Sequence, residues 1–186
     1  MSDRVVAVIH AKGNSERLMR KNFCLIGGVP LFLAQAQNIS NLLPKSNIYI
    51  DSEDDEILVL SELCGFRPLQ RDPQKASNDY GGVQLLKDFL NKVDATTVVQ
   101  LFPPMPFLDV PKLGEMITHV RAGSVNSAFF LESDHLYTWS SNSPNYAFKA
   151  DGEIPNSKDL QPTQYELPTV YVLNVDEFRA TNNRTC

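Results

Sequence analysis

The residues best suited to chemistry lie together near the start of the chain. An apolar run, Val5 to Ile9, empties into a stretch rich in small residues and cations: Ala11, Lys12, Gly13, Asn14, Ser15, Arg17, Arg20 and Lys21. A strand that ends in such a loop can cradle phosphate. Its amides approach the oxygens closely, and its cations neutralise their charge. The pattern is not a P-loop, which needs glycines at both ends and a Lys-Ser/Thr pair entering a helix, and it is not a GxGxxG dinucleotide turn. Spacing alone leaves two readings, a phosphate cradle and a solvated basic turn after the first strand.

Other groups offer less. Asp51 closes an expected strand, where an acid could hold a metal or a ribose. Asp51, Glu53, Asp54, Asp55 and Glu56 also read as the acidic start of a helix, and this is the preferred reading. His10, His119 and His135 have no ligand spacing and no nucleophile partner, so His10 is expected to pack or to support the loop. Tyr137, Trp139 and Tyr146 are expected to pack a loop onto the core.

The elements that must position these groups alternate. Arg4 to His10 reads as a buried strand and Leu31 to Leu43 as a helix with Pro30 in its first turn. Asn47 to Ile50 is a short strand. Ser52 is the expected N-cap of a helix from Glu53 to Cys64, with Gly65 beyond its end. Phe66 to Leu69 is extended, a polar loop runs from Arg71 to Tyr80, and Val83 to Lys92 is helical. Thr96 to Phe102 is β-branched and apolar, a central strand stopped by Pro103, Pro104 and Pro106. Val110 to Arg121 is the next helix, Ser124 to Leu131 the next strand, and residues 133 to 163 are irregular. Thr169 to Leu173 is a last strand and Val175 to Ala180 a short helix. This order implies an α/β fold with a mostly parallel sheet and helices on both faces. Ligands bind such sheets at the carboxyl ends of the strands, where the basic loop, the Asp51 turn and the Pro-rich turn all fall.

Composition narrows the partners. With 186 residues the chain is expected to form one domain with a sizeable core. A net charge of -5 argues against general nucleic-acid binding. The three cysteines have no CxxC spacing, which argues against a metal knuckle or a disulfide framework and fits a reducing cytoplasm. No leader is expected, and no apolar run approaches the length of a membrane span.

The basic loop resembles the N-terminal signature of the N-acylneuraminate and KDO cytidylyltransferases, approximately A-R-x-x-S-x-R-x-x-x-K-N. Here it stands as Ala11, Lys12, Ser15, Arg17, Lys21 and Asn22, with Lys12 replacing an arginine. The likeness continues in register. Asn22 to Pro30 resembles K-N-hydrophobic-G-G-x-P-L, Ile48 to Glu56 a strand ending S-T-D-S-E-E-I, and Arg71 to Asp79 R-P-x-E-L-A-S-D. Val98 to Leu108 resembles V-x-L-L-Q-P-T-S-P-L-R, and Gln164 to Asn174 R-Q-D-L-P-x-x-Y-x-x-N-G.

The resemblance implies a Rossmann-like nucleotide-diphospho-sugar transferase fold. It also implies transfer of CMP from CTP to a sialic-acid-like or other 2-keto sugar acid, with release of pyrophosphate. It gives Lys12 and Lys21 the catalytic part, offsetting phosphate charge. Ala11, Gly13, Asn14, Ser15, Arg17, Asn22, Arg71 and Ser77 would bind the nucleotide, and Phe102, Gln164 and Asn174 the acceptor. It further implies Mg2+, with ligands unassigned, and a homodimer built through residues 134 to 163. The chain departs from the family at Glu16, Asn78, Phe102, Pro104, Met105, Leu108, Thr163, Val172 and Val175. No Asp-x-Asp pair follows Asn174, so the chain reads as C-terminally short. Phe, Met, Leu and Val supply none of the charge-assisted bonds that hold a sugar carboxylate. A degenerate nucleotide-binding relative, or a nucleotidyltransferase with another base or acceptor, is the alternative.

Overall fold

Val5 to His10 form a strand whose side chains are all buried, and the sheet is built around it. The computed structural model describes residues 3–77 and 79–185. Strands β1 (Val5–His10), β2 (Ile48–Ser52), β3 (Arg67–Gln70), β4 (Thr97–Leu101), β5 (Ser127–Asp134) and β6 (Thr163–Asn174) make one six-stranded sheet in the order β3-β2-β1-β4-β6-β5. The first four strands in that order are parallel, with Ala7 level with Ile48 and Val99. β6 runs antiparallel to β4, Tyr171 lying beside Gln100 and Asn174 beside Thr97. Runs such as Thr97 to Leu101, buried throughout, suit a sheet covered on both faces.

The described residues form helices α1 (Leu31–Ile39), α2 (Asp55–Leu63), α3 (Gly82–Leu90) and α4 (Val110–Arg121) between strands, and α5 (Val175–Thr181) after the last strand. From β1 the chain moves through β2 to β3, then crosses back past β1 to β4. Right-handed crossovers therefore put α1 and α2 on one face and α3 on the other. On the α3 face, Val6, Val8 and Val98 pack with Leu86, Phe89, Leu90, Tyr171, Leu173, Val175 and Phe178 in one apolar cluster. The connections of β1 and β4 leave in opposite directions, which opens a crevice at their carboxyl ends.

Several local expectations change. Asp54, not Ser52, caps α2, its carboxylate accepting from the amides of Glu56 and Ile57. The Ser52 hydroxyl instead accepts from the Asp54 amide at 3.1 Å. Asp51 is not part of the helix start. It is a strand residue of β2, 5% exposed. α1 ends at Ile39, and β6 begins at Thr163, earlier than the apolar run suggests.

The chain divides into two compact units, one comprising residues up to Phe129 and from Thr169 onward, the other Phe130–Pro168. The second unit holds the irregular stretch. It contains the outer parts of β5 and β6 and a small hairpin, Trp139–Ser140 with Ser143–Pro144. Its aromatic residues stack on one another: Tyr137 and Trp139 meet the Tyr146 ring edge-on at 5.3 and 6.4 Å, and Trp139 is 59% exposed.

Candidate active site

The basic loop leaves β1 beside the neighbouring strand: the Ala11 amide donates to the Asp51 carbonyl at 3.0 Å. Three contacts then shape it. The Gly13 amide donates to Glu53 Oε1 at 2.8 Å. Gly13 also sits against the capping Asp54, and a Cβ there would lie 2.2 Å from Asp54 Oδ2, so only glycine fits. Asn22, buried at the far end of the loop, donates from Nδ2 to the Lys12 carbonyl at 2.7 Å and closes it.

The closed loop forms one wall of a cleft of about 260 Å3 at the carboxyl ends of the strands. His10, Lys12, Ser15, Lys21 and Asn22 line it from this side. Arg71, Lys75, Ser77 and Tyr80 enter from the segment after β3, and Phe102, Pro103 and Pro104 from the turn after β4. Lys12 Nζ reaches the Ala76 carbonyl at 3.4 Å, joining the basic loop to the segment after β3. Lys21 has no carboxylate partner among the described residues. Burial, then the charges of Arg17 and Lys12, push its ammonium below the usual lysine range. Lys12, Arg17 and Lys21 thus form a cluster of like charges, partly desolvated at Lys21.

Beneath the cations lies a buried polar chain that no sequence spacing announces. Arg71 is 5% exposed and donates from Nε and Nη2 to Asp51 Oδ2 at 3.1 and 2.8 Å. His10 Nδ1 meets the same oxygen at 2.5 Å. On the other side of the ring, Gln100 Nε2 lies 3.0 Å from His10 Nε2 and 2.7 Å from the Gly82 carbonyl, which opens α3. Burial, against the pull of Asp51, holds His10 below its ordinary pKa. Burial works to raise Asp51, but His10 and Arg71 outweigh it and keep the carboxyl below the usual carboxylate range. The group is therefore a neutral imidazole between a carboxamide and a guanidinium–carboxylate pair.

Lys12 and Lys21, to which the resemblance gives the catalytic part, line the cleft together with Ser15, Asn22, Arg71 and Ser77 of those it marks for nucleotide binding. Ala11 and Gly13 do not line it and hold the loop through their amides. Asn14 and Arg17 are exposed, Arg17 near enough to act on Lys21. Arg20 is turned away: it pairs with Glu56 at 2.5 Å and covers the Phe23 ring. Glu16 points to solvent. Asn78 lies outside the described residues.

The acceptor-side residues do not converge as expected. Phe102 lines the cleft, its ring 5.4 Å from that of His10. Gln164 belongs to the second unit, where it is exposed. Asn174 is a correction. It pairs with Thr97 at the amino end of β4, opposite to the cleft, because β6 runs antiparallel. Its side chain caps α5, accepting from the amides of Asp176 and Glu177.

Sequence reasoning missed Gln100 and Arg184, and it gave His10 only a packing or loop-supporting part without its partners Asp51 and Gln100. Arg184 lies over the Tyr171 ring at 4.1 Å and reaches Gln100 Oε1 at 3.5 Å. No carboxylate among the described residues pairs with it, which leaves one cation near the Phe102 end. No cluster of three or more metal-ligating side chains exists among the described residues. Asp51 accepts from His10 and Arg71, and Glu53 accepts from the Gly13 amide through Oε1, while its buried Oε2 makes no hydrogen bond and stands 3.6 Å from Arg71 Nη1. No helix among the described residues is long and apolar enough to cross a membrane.

A family model described as cytidylyltransferase matches residues 6–163. No curated protein matches significantly. Among solved structures, CMP:2-keto-3-deoxy-manno-octonic acid synthetase in complex with CTP is similar, with TM-score 0.70 and 13% identity over 96% of this chain and 78% of that one. The bifunctional IspDF of Campylobacter jejuni gives 0.68 and 14% over 98% of this chain and 44% of its own. A cytidylyltransferase of Leptospira borgpetersenii gives 0.61 and 13%, over 96% and 63%. At such identities these likenesses speak for the fold, a mostly parallel α/β nucleotidyltransferase sheet. With the family match covering most of its length, the chain belongs to the cytidylyltransferase family.

Proposed function

We propose that this chain uses the cleft to bind CTP and transfers CMP to a sialic-acid-like or other 2-keto sugar acid, releasing pyrophosphate. The observation that carries this reading is the convergence of Lys12, Ser15, Lys21, Arg71 and Ser77 from two separate segments on one cleft. The acceptor hydroxyl oxygen attacks the α-phosphorus and gives up its proton to solvent, while the bond from the α-phosphorus to the bridging oxygen of the β-phosphate breaks and pyrophosphate leaves. Lys12 and Lys21 offset the charge that builds on the departing pyrophosphate. The Ser15 hydroxyl donates to a phosphate oxygen, and Arg71 and Ser77 hold the nucleoside. Residues 134–163, with their exposed aromatic cluster, would join two copies into a homodimer.

A second reading is favoured by the Phe102 end, where the lining residues Phe102, Pro103 and Pro104 carry no charge and the nearby Arg184 lies over the Tyr171 ring. On it, the chain binds a nucleotide without turnover, or serves a less acidic acceptor.

A thermal-shift titration with CTP, ATP, GTP and UTP, with and without magnesium, separates these readings from one another. A ligand that binds only the folded state raises the melting temperature by mass action. A CTP-specific shift, followed by pyrophosphate release with a 2-keto sugar acid, is the expected result. A shift without pyrophosphate from any acceptor favours the binder, and no shift with any nucleotide overturns both.

A further inference from the structure

We propose that His10 is a positioning residue. As the neutral imidazole with its proton on Nδ1, it holds Asp51, and through Asp51 the Arg71 guanidinium, at the nucleotide end of the cleft. It holds the Gln100 amide, and with it the start of α3, at the other end. The inference rests on the reading of the cleft as a CTP site.

The hydrogen-bond arithmetic determines the tautomer. Gln100 Nε2 sits 2.7 Å from the Gly82 carbonyl, which can only accept, so this atom is the amide NH2. Its second hydrogen points to His10 Nε2 at 3.0 Å, which must then offer a lone pair. Arg184 donates to the remaining oxygen, Oε1, and holds the amide in the same orientation. The imidazole proton is therefore on Nδ1, donated to Asp51 Oδ2. Asp51 in turn takes two bonds from Arg71 through that oxygen and a third, at 2.9 Å, through its backbone carbonyl. Glu53 stands 3.6 Å from Arg71 Nη1. Rotation of Arg71 away from the cleft would leave Asp51 and Glu53 without their cation.

Protonation undoes the arrangement. An N–H on Nε2 would face the Gln100 NH2, and turning the amide over would set its oxygen against the Gly82 carbonyl. The charges around the ring act in both directions: Asp51 favours the imidazolium, while Arg71 and Arg184 oppose it. Lys12, Lys21 and Lys75 line the same cleft. The Phe102 ring lies 5.4 Å from the imidazole and offers it no hydrogen-bond partner. The position thus links the two ends of the cleft only while the ring is neutral.

The test uses the full chain and three variants. His10→Asn retains a donor at the Nδ1 position. His10→Phe fills the volume with neither nitrogen, and His10→Gln, which lacks the Nδ1 donor, replaces it should His10→Phe fail to fold. CTP affinity is followed between about pH 5 and 8, and 15N spectra report the ring tautomer and the Arg71 Nε–H. The wild-type ring should show Nδ1–H. His10→Phe should weaken CTP binding about tenfold or more, lose the acid limb of the profile and lose protection of the Arg71 Nε–H. His10→Asn should restore neutral-pH affinity and also lack the acid limb. A ring protonated on Nε2, or a folded His10→Phe that binds CTP as the wild type does, overturns the inference. A wild-type chain that binds no CTP yet shows the Nδ1–H ring and an Arg71 signal lost in His10→Phe overturns the CTP reading and upholds the positioning role.

Discussion

Arg71 grips Asp51 with three hydrogen bonds, two to Oδ2 at 3.1 and 2.8 Å and one to the backbone carbonyl at 2.9 Å, both side chains nearly buried. The pair ties the segment after β3 to the end of β2 and places a guanidinium at the cleft wall. Removing one partner strands the other charge in a poorly solvated site. Asp51→Ala should cost about 3–5 kcal/mol in urea unfolding. Replacing both, Asp51→Leu with Arg71→Met, should cost less than either single change while still abolishing the CTP-induced thermal shift.

The cationic loop should trade stability for binding. Lys21 is depressed below the ordinary lysine pKa by burial and by Arg17 and Lys12, so its charged form works against folding at neutral pH. That penalty fades as pH rises through the depressed pKa toward the ordinary value. Lys21→Met should therefore stabilise the ligand-free chain by up to about 1 kcal/mol at pH 7, with the gain shrinking in alkaline solution. The same variant should lose the CTP shift. Chemical unfolding at several pH values, beside the nucleotide titration, reads both effects.

Gly13 tests the cradle without touching charge. An added Cβ would meet Asp54 Oδ2 at 2.2 Å, and Asp54 cannot yield without uncapping α2. Gly13→Ala should destabilise the chain by about 1–3 kcal/mol and should reduce CTP affinity, because the amide that bonds Glu53 must shift. Unfolding and calorimetric titration measure the two losses separately.

Acid should weaken the fold in two windows. His10 is depressed, so its contribution is complete above its ordinary value of about 6.5 and is lost as pH falls from there through the lowered pKa. Asp51 is also depressed, and its contribution persists to lower pH, lost only as pH falls from about 3.9 through its lowered pKa. Each window has a slope approaching about 1.4 kcal/mol per pH unit for one proton. In His10→Asn the first window should vanish and the second remain, as seen in unfolding free energies across the acid range.

The order of strands and helices was legible in the sequence because it is local physics. Val5 to Ile9 and Thr97 to Leu101 are β-branched runs, and Val110–Arg121 is bounded by Asp109, which caps it, and by Gly123 beyond its end. The cationic loop was legible too, since its cations lie within one short stretch. The buried chain beneath it was not. His10 meets Asp51 across 41 positions and Gln100 across 90, and Arg184 meets Gln100 across 84. These distances close only because β1 sits between β2 and β4 and because β6 carries the chain back beside β4. Asn174 shows the same limit in reverse. Its place in a motif suggested the acceptor, but the antiparallel direction of β6 put it at the far end of the sheet, where it caps α5. Composition and spacing alone thus set the elements and the cationic loop. Strand order and direction, which depend on packing between distant segments, decided which polar side chains share a cleft and which protonation states they hold.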